Sequence, residues 1–454
     1  MKTLMIRGNA FHTPTLGNVE VLQDYLFLIN EDGVLTDVVS PTNDNYEEFY
    51  ETHRNHADYI HLKDSQFLLP GFIDTHVHAP QWPQAGKALH VDLPTWLNTY
   101  TFPLENSYQD EAFTQTVYAD LIDTLLANGT TTSLYFGSIH LEPNRILAQL
   151  CADKGQRAFI GNVVMDDISQ SPDFYRNSSP EQAVATTESF LSFTQHLSKT
   201  TPQGIYGVVT PRFIPTCSDE VLADLGKLAS TYDAPIQSHC SEGDWEHAYV
   251  QERTGKRDTQ ALYDFGLLTN KTVMAHCVFL NDEDALLFKQ SGASIAHCPV
   301  SNVLFANAIA PIRHRLEQGV NVGLATDISG GYSPSMFDAM RQAILSSRTL
   351  EDGVHHTLAP EKRGCPNSRF DFRHALYMAT VGGATALSLQ TGLFKPGYSF
   401  DALLIDTQAP DSNLRTYDFD TPEDILQKTI FLGQRTNIVS TWVQGRSVYK
   451  RKNN

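Results

Sequence analysis

The sequence predicts an α/β protein: a (β/α)8 TIM-like barrel carrying a small β-sandwich domain built from both chain ends. Three observations predict it. Eight apolar, strand-like segments alternate with helical stretches through the middle of the chain. Five of those eight segments end in His or Asp, polar groups that a barrel would gather at one mouth. Both chain ends are β-rich, yet neither has enough strands to stand alone.

In this reading residues 1–65 and 395–454 pair into one composite domain, and residues 66–394 form the barrel. At the N-terminal end, 4–11 and 19–29 look like strands, and Asp32-Gly33 is a hairpin signal before 34–39. The eight barrel strands are expected at 67–76, 130–136, 158–165, 205–210, 235–239, 272–276, 294–297 and 321–326. The pieces between them show helical periodicity. One helix, 180–197, follows Ser178-Ser179, which supply an N-cap. At the C-terminal end 402–405 reads as a strand, and 438–443 and 447–449 flank a turn at Gln444-Gly445. An open doubly wound sheet is the alternative, but it would carry a Gly-rich phosphate turn after an early strand, and the sequence has none.

Composition narrows the function classes. Hydrophobic residues make up 41% of the 454, enough for a large core. Lys and Arg number 33 against 52 Asp and Glu, a formal charge of −19. That balance argues against nucleic acid and against an anionic membrane, both of which need a basic face. It suits an enzyme acting on small neutral molecules. No apolar run approaches the roughly 20 residues of a membrane span, and the apolar stretch at the N-terminus is too short for a signal peptide. The six cysteines are scattered with no C-x-x-C, which reads as reduced thiols and a cytoplasmic location.

The sharpest local signal is Asp74-Thr75-His76-Val77-His78, which ends the apolar run beginning at Phe67. Residues two apart on a strand share a face, so His76 and His78 project together. Later segments end in Thr210-Pro211-Arg212-Phe213, His239-Cys240-Ser241-Glu242, His276, His297-Cys298-Pro299 and Ala325-Thr326-Asp327. His76, His78, His239 and Asp327 together offer three imidazoles and one carboxylate, a set that suits zinc or ferrous iron with a position left for water. Bound to such a metal, water falls in pKa from about 15.7 to about 7. Glu242, three residues past His239, is placed to shuttle protons, with a pKa raised by partial burial. His276 and Asp327 are placed to align the attacking oxygen, and Asp327 also to take its proton. On residues alone, the alternative for Glu242 is an N-cap or first-turn acid of the next helix.

These motifs resemble the amidohydrolase superfamily, in its mononuclear deaminase branch. Further stretches resemble the members of that branch that deaminate guanine: Trp96-Leu97 with Tyr100-Thr101-Phe102-Pro103, Asn128-Gly129-Thr130-Thr131-Thr132, Gly155-Gln156-Arg157, Thr210-Pro211-Arg212-Phe213 and Ser294-Ile295-Ala296-His297-Cys298-Pro299. The resemblance runs over most of the chain. It implies one zinc per chain, with ferrous iron the alternative, held by His76, His78, His239 and Asp327. It implies catalytic roles for Glu242, His276 and Asp327. It implies purine contacts from Gln81, Arg212, Phe213 and Glu242, and a homodimer. The implied reaction is hydrolytic deamination of guanine, with a related purine or pterin (8-oxoguanine, isoxanthopterin) as the alternative substrate. Trp82 is expected either to line the mouth or to pack. Three features depart from the pattern: Cys240, the stretch Gly243-Asp244-Trp245, and a long segment 351–370 expected as a surface loop, a lid or a dimer contact. A binuclear amidase would bridge two metals with a lysine after strand four, where Arg212 stands instead. A non-catalytic barrel would be free to lose ligands, and the whole set is present.

Overall fold

The computed structural model describes residues 2–452. Met1, Asn453 and Asn454, which the sequence assigns to the terminal β unit, lie outside the described residues. The chain opens with β1 (Leu4–Thr15), β2 (Asn18–Ile29), β3 (Leu35–Val39), β4 (Asp58–His61) and β5 (Gln66–Pro70). The middle holds β6 (Phe72–His78), β7 (Thr130–Phe136), β8 (Arg157–Val164), β9 (Ile205–Pro211), β10 (Ile236–Cys240), β11 (Thr272–His276), β12 (Ser294–His297) and β13 (Asn321–Leu324). The chain ends with β14 (Ala402–Asp406), β15 (Ile438–Val443) and β16 (Arg446–Lys450).

Strands β6 to β13 pair in chain order, each parallel to the next, with helices between most of them. This is the (β/α)8 barrel that the alternation predicts. β6, β7 and β8 are buried along their whole length, as strands must be when helices cover one face and the barrel interior the other. Ile73, Leu134, Phe159, Val208, Val273 and Ala296, from six different barrel strands, share one buried cluster that fills the interior. The predicted helix is found as Pro180–Ser198, and Ser179 caps it by accepting from the Gln182 N–H at 3.2 Å.

Closure is made by the residues just past β13. The Asp327 N–H donates to the His76 carbonyl at 2.9 Å, and the His78 N–H donates to the Ile328 carbonyl at 2.8 Å. Below them the Thr75 hydroxyl donates to the Leu324 carbonyl at 2.9 Å. Asp74 accepts from the Thr326 N–H at 3.0 Å and from the Thr326 hydroxyl.

The two chain ends share one mixed sheet in the order β16-β15-β14-β5-β1-β2-β3, with β4 alongside β1. The run 67–76, expected as one strand, divides at Gly71. β5 pairs with β14 and β1 in the terminal sheet, and β6 starts the barrel. Gly71 permits the break because a Cβ there would stand 2.3 Å from the Thr131 hydroxyl. The helix Tyr46–His53 and β4 were not anticipated. β4 is short and half-exposed, so no alternation marks it. The segment after the helix Met336–Asp352 runs as an exposed loop with one turn at Pro360–Lys362. None of it lines the pocket described below. No helix among the described residues is long and apolar enough to cross a membrane.

Arg157 joins the barrel to the terminal sheet. From the start of β8 its guanidinium donates to Asp401, to Gln203 O at 2.8 Å, to the Thr132 hydroxyl at 3.2 Å and to Gln444 Oε1 at 3.0 Å. Both partners of the ion pair are buried, at 4% and 0% side-chain exposure. Removing one partner of such a pair leaves a buried charge unpaired. Asp401→Ala is therefore expected to lower stability by about 3–5 kcal/mol, read as the shift in the urea unfolding midpoint; a loss below about 1 kcal/mol would show that the pair does not hold the two units together.

Candidate active site

The mouth at the C-terminal end of the barrel strands holds a pocket. His78, Gln81, Arg212, Phe213, His239, Glu242, His276 and Asp327 line it, with Leu93, Trp96 and Phe305 among the other walls. His76 lies immediately behind, with its Nε2 3.3 Å from Asp327 Oδ1. The barrel thus gathers every candidate site residue into one place. β6 supplies His76 and His78, β10 supplies His239, β11 supplies His276, and the turns after β10 and β13 supply Glu242 and Asp327.

The imidazole tautomers follow from their partners. His239 Nδ1 is 2.6 Å from the Arg212 carbonyl, so it carries the proton and donates, leaving the Nε2 lone pair facing the cavity. His276 Nδ1 donates in the same way to Asn302 Oδ1 at 2.9 Å. The Nε2 atoms of His78 and His239 lie 3.2 Å apart. The Nε2 atoms of His76 and His276 are buried with no hydrogen-bond partner. Nitrogen atoms converging on one point with partners missing are what a cation site needs. The donor atoms of His76, His78 and His239, and those of His76, His276, Cys298 and Asp327, each fall within 4.8 Å of one another. These residues therefore fit a divalent metal. Phe136 stands 4.8 Å, ring to ring, from each of His76, His78 and His239 and gives the cluster an apolar wall.

Burial sets the protonation states. It lowers His76, His78 and His239 well below the ordinary imidazole value, and neighbouring imidazoles add to the effect on His78 and His239. His276 is lowered by burial too. Neutral imidazoles are the form that binds metal. Burial, then the neighbouring Asp327 carboxylate, pushes Glu242 up to about 8. Glu242 Oε1 lies 3.6 Å from His276 Nε2, and its backbone N–H donates to Glu246 Oε2 at 2.6 Å. Burial also raises Asp327 and lifts Asp74 to about 7.

Arg212 donates to both carboxylate oxygens of Glu105, at 2.7 and 3.1 Å. Gln81 Nε2 donates to Glu105 Oε1 at 2.9 Å. Phe213 packs edge-on to His239 at 6.2 Å. Trp82 takes its packing alternative: its indole N–H donates to Asp120 at 2.7 Å, and it does not line the cavity. Sequence reasoning missed Glu105, Asn302, Phe136 and the seam role of Asp74. Glu105 was the most findable, as the acid directly after the quoted Tyr100-Thr101-Phe102-Pro103 stretch.

A parallel barrel with a buried, metal-competent His/Asp cluster and an elevated carboxyl at its C-terminal mouth defines a metal-dependent hydrolase. Residues 67–448 match the model of the amidohydrolase family. The chain belongs to that family. It is 36% identical over 461 residues to a guanine deaminase of Dictyostelium discoideum, with 98% of each chain covered. It is 35% identical over 454 residues to a guanine deaminase of Homo sapiens, covering 98% of this chain and 96% of that one. A crystal structure of guanine deaminase from C. acetobutylicum with bound guanine in the active site superposes with a TM-score of 0.87 at 30% identity, covering 98% and 100% of the two chains.

Two outcomes are expected. In the unfolded chain Glu242 ionises near the ordinary glutamate value of 4.5, and in the folded, metal-free protein near 8. Its contribution to stability is therefore fully present below about 4.5 and is lost progressively as pH rises from there through about 8. Melting temperature measured against pH should fall across that window more steeply for the metal-free wild type than for Glu242→Gln; parallel curves would contradict the elevated carboxyl. Adding a divalent transition-metal ion at about 100 times its Kd should stabilise the metal-free protein by about 2.7 kcal/mol. Asp327→Ala should abolish most of that gain in a thermal shift experiment.

Proposed function

We propose that this chain converts guanine and water to xanthine and ammonia, with one zinc ion per chain. One observation carries the reading: one pocket at the barrel mouth joins a metal-competent His/Asp cluster and an elevated carboxyl to groups suited to the edge and face of a neutral purine. The guanine deaminases among its relatives support the substrate.

His76, His78, His239 and Asp327 would hold the ion. Three nitrogens and one oxygen suit zinc, with ferrous iron the alternative. Such an ion lowers the pKa of bound water from about 15.7 to about 7 and so supplies hydroxide at neutral pH. Arg212 donates to the purine carbonyl oxygen, Gln81 hydrogen-bonds the purine edge, and Phe213 packs near its face. These contacts turn the amine-bearing carbon toward Glu242 and Asp327. His276, neutral and held through Asn302, accepts from the attacking water with its free Nε2. Glu242, its carboxyl raised by burial, gives its proton to the ring nitrogen beside that carbon as oxygen adds. Asp327 takes a proton from the attacking oxygen. Glu242, now ionised, takes the remaining proton from the added hydroxyl and passes it to the amine, which leaves as ammonia while the carbonyl of xanthine forms; the proton held by Asp327 returns to Glu242 and resets both groups.

Glu242→Ala should retain the metal and lose about 10²–10⁴-fold in kcat, the usual span for a general acid–base group; a variant that turns over normally would remove the shuttle assignment. The substrate is tested by ammonia release from guanine, 8-oxoguanine, isoxanthopterin, adenine and cytosine with metal-loaded protein. Guanine is expected to be fastest, and no ammonia from any of the five would overturn the deaminase reading.

A further inference from the structure

Glu105 has no part in the chemistry assigned above, yet it holds both polar groups that face the purine. It sits on the short helix Phe102–Asn106, in the segment between β6 and β7, and its side chain is fully buried. Oε2 accepts from Arg212 Nη1 at 2.7 Å, and Oε1 accepts from both Arg212 Nη2 at 3.1 Å and Gln81 Nε2 at 2.9 Å. On its other side Gln81 Oε1 accepts from the Ser329 N–H at 3.2 Å. The Phe102 ring lies 5.0 Å from the Arg212 guanidinium carbon.

We propose that Glu105 is a positioning residue that makes the cavity selective for heterocycles bearing a carbonyl oxygen, by fixing the Arg212 fork and the Gln81 amide. This rests on the reading that the cavity takes guanine. An isolated Gln amide can present either its oxygen or its nitrogen to a ligand. Here the choice is made: nitrogen must face the carboxylate and oxygen must face the Ser329 N–H, so one N–H and one lone pair remain for substrate. A guanidinium has five N–H groups in one plane. Two are committed to Glu105, which sets the direction of the rest. The pair also carries no net charge, so the cavity offers aimed donors to a neutral ring instead of a free cation to any anion. Sites built to hydrogen-bond a substrate group discriminate strongly against analogues that lack it.

Glu105→Gln tests this directly. The new amide has one acceptor and one donor end, while Arg212 and Gln81 both present donors, so at least one contact must fail. The probes are hypoxanthine, which has the ring carbonyl, and purine, which lacks it. Neither carries an amine that can leave, so their Kd values are measured by calorimetry on metal-loaded protein without turnover. Hypoxanthine binding is expected to weaken about 10- to 100-fold, the span for a charge-assisted hydrogen bond, while purine binding changes far less. The KM for guanine should rise more than kcat falls. Equal weakening of both probes would mean a merely structural role, and unchanged binding of both would mean that Arg212 and Gln81 need no such support. Either result overturns the proposal. Should Glu105→Gln fail to fold, Glu105→Asp keeps the charge but is one methylene too short to reach both partners. It is expected to lose preference for hypoxanthine, and a wild-type ratio would equally overturn the proposal. Failure of the wild type to release ammonia from guanine would remove the substrate assignment while leaving the binding comparison to decide the role of Glu105.

Discussion

The seam where the chain after β13 returns to β6 is the contact on which the rest of the molecule depends. A twisted parallel sheet of eight strands closes only if its last strand finds its first. Here the closing bonds come from the backbone of the site residues themselves: Asp327 N–H to His76 O, and His78 N–H to Ile328 O. The same register brings the Asp327 carboxylate to 3.3 Å from His76 Nε2 and 3.7 Å from His78 Nε2. Asp74, tied to Thr326 across the seam, also accepts from the His76 N–H at 3.3 Å. Closing the barrel and assembling the site are therefore one event, and an unclosed sheet would have no site.

Burial does the electrostatic work. Moving an ion out of water costs several kcal/mol even after relaxation. Four buried imidazoles therefore stay neutral, with their lone pairs available. Two carboxyl groups are held in the same mouth, and their elevated values follow from the same burial, reinforced at Glu242 by Asp327. Arg212 is the cation lining the cavity, and Glu105 neutralises it. A site so arranged suits an uncharged ring that must accept a proton at one atom and lose one elsewhere.

The strand-end residues were legible in the sequence because periodicity and position suffice to find them. An apolar run ending in His or Asp is a local pattern, and barrel geometry alone predicts that such ends meet. The break at Gly71 was not legible, because the apolar run continues through it and only the packing of Thr131 requires glycine there. Nor were the left-handed backbones at Ser241, His276, Cys277 and Asp327, a conformation uncommon outside glycine. Such conformations cost of order 1–3 kcal/mol each and persist only where surrounding contacts impose them. Glu105 lies 107 residues from Arg212, so no local pattern joins them.

The cavity draws on two kinds of scaffold, and they differ in how firmly they hold a side chain. His76, His78, His239 and His276 stand on barrel strands whose ladder hydrogen bonds fix the backbone on both sides. Gln81, Leu93, Trp96 and Glu105 stand on short helical turns in the segment between β6 and β7, each too short to be stable alone. Their positions rest on individual side-chain bonds, such as Gln84 to Thr101 at 2.8 Å, Asp92 to the Thr95 N–H at 2.8 Å, and Gln81 to Glu105. A single substitution can remove one of those, whereas no single side chain carries the barrel ladder. The chemistry is thus built on the rigid part of the fold. In the proposed reading, recognition of the ring edge is shared between a strand-end arginine and a segment held by separable contacts, so substrate preference would change at Gln81 or Glu105 while the metal-competent cluster stays as it is.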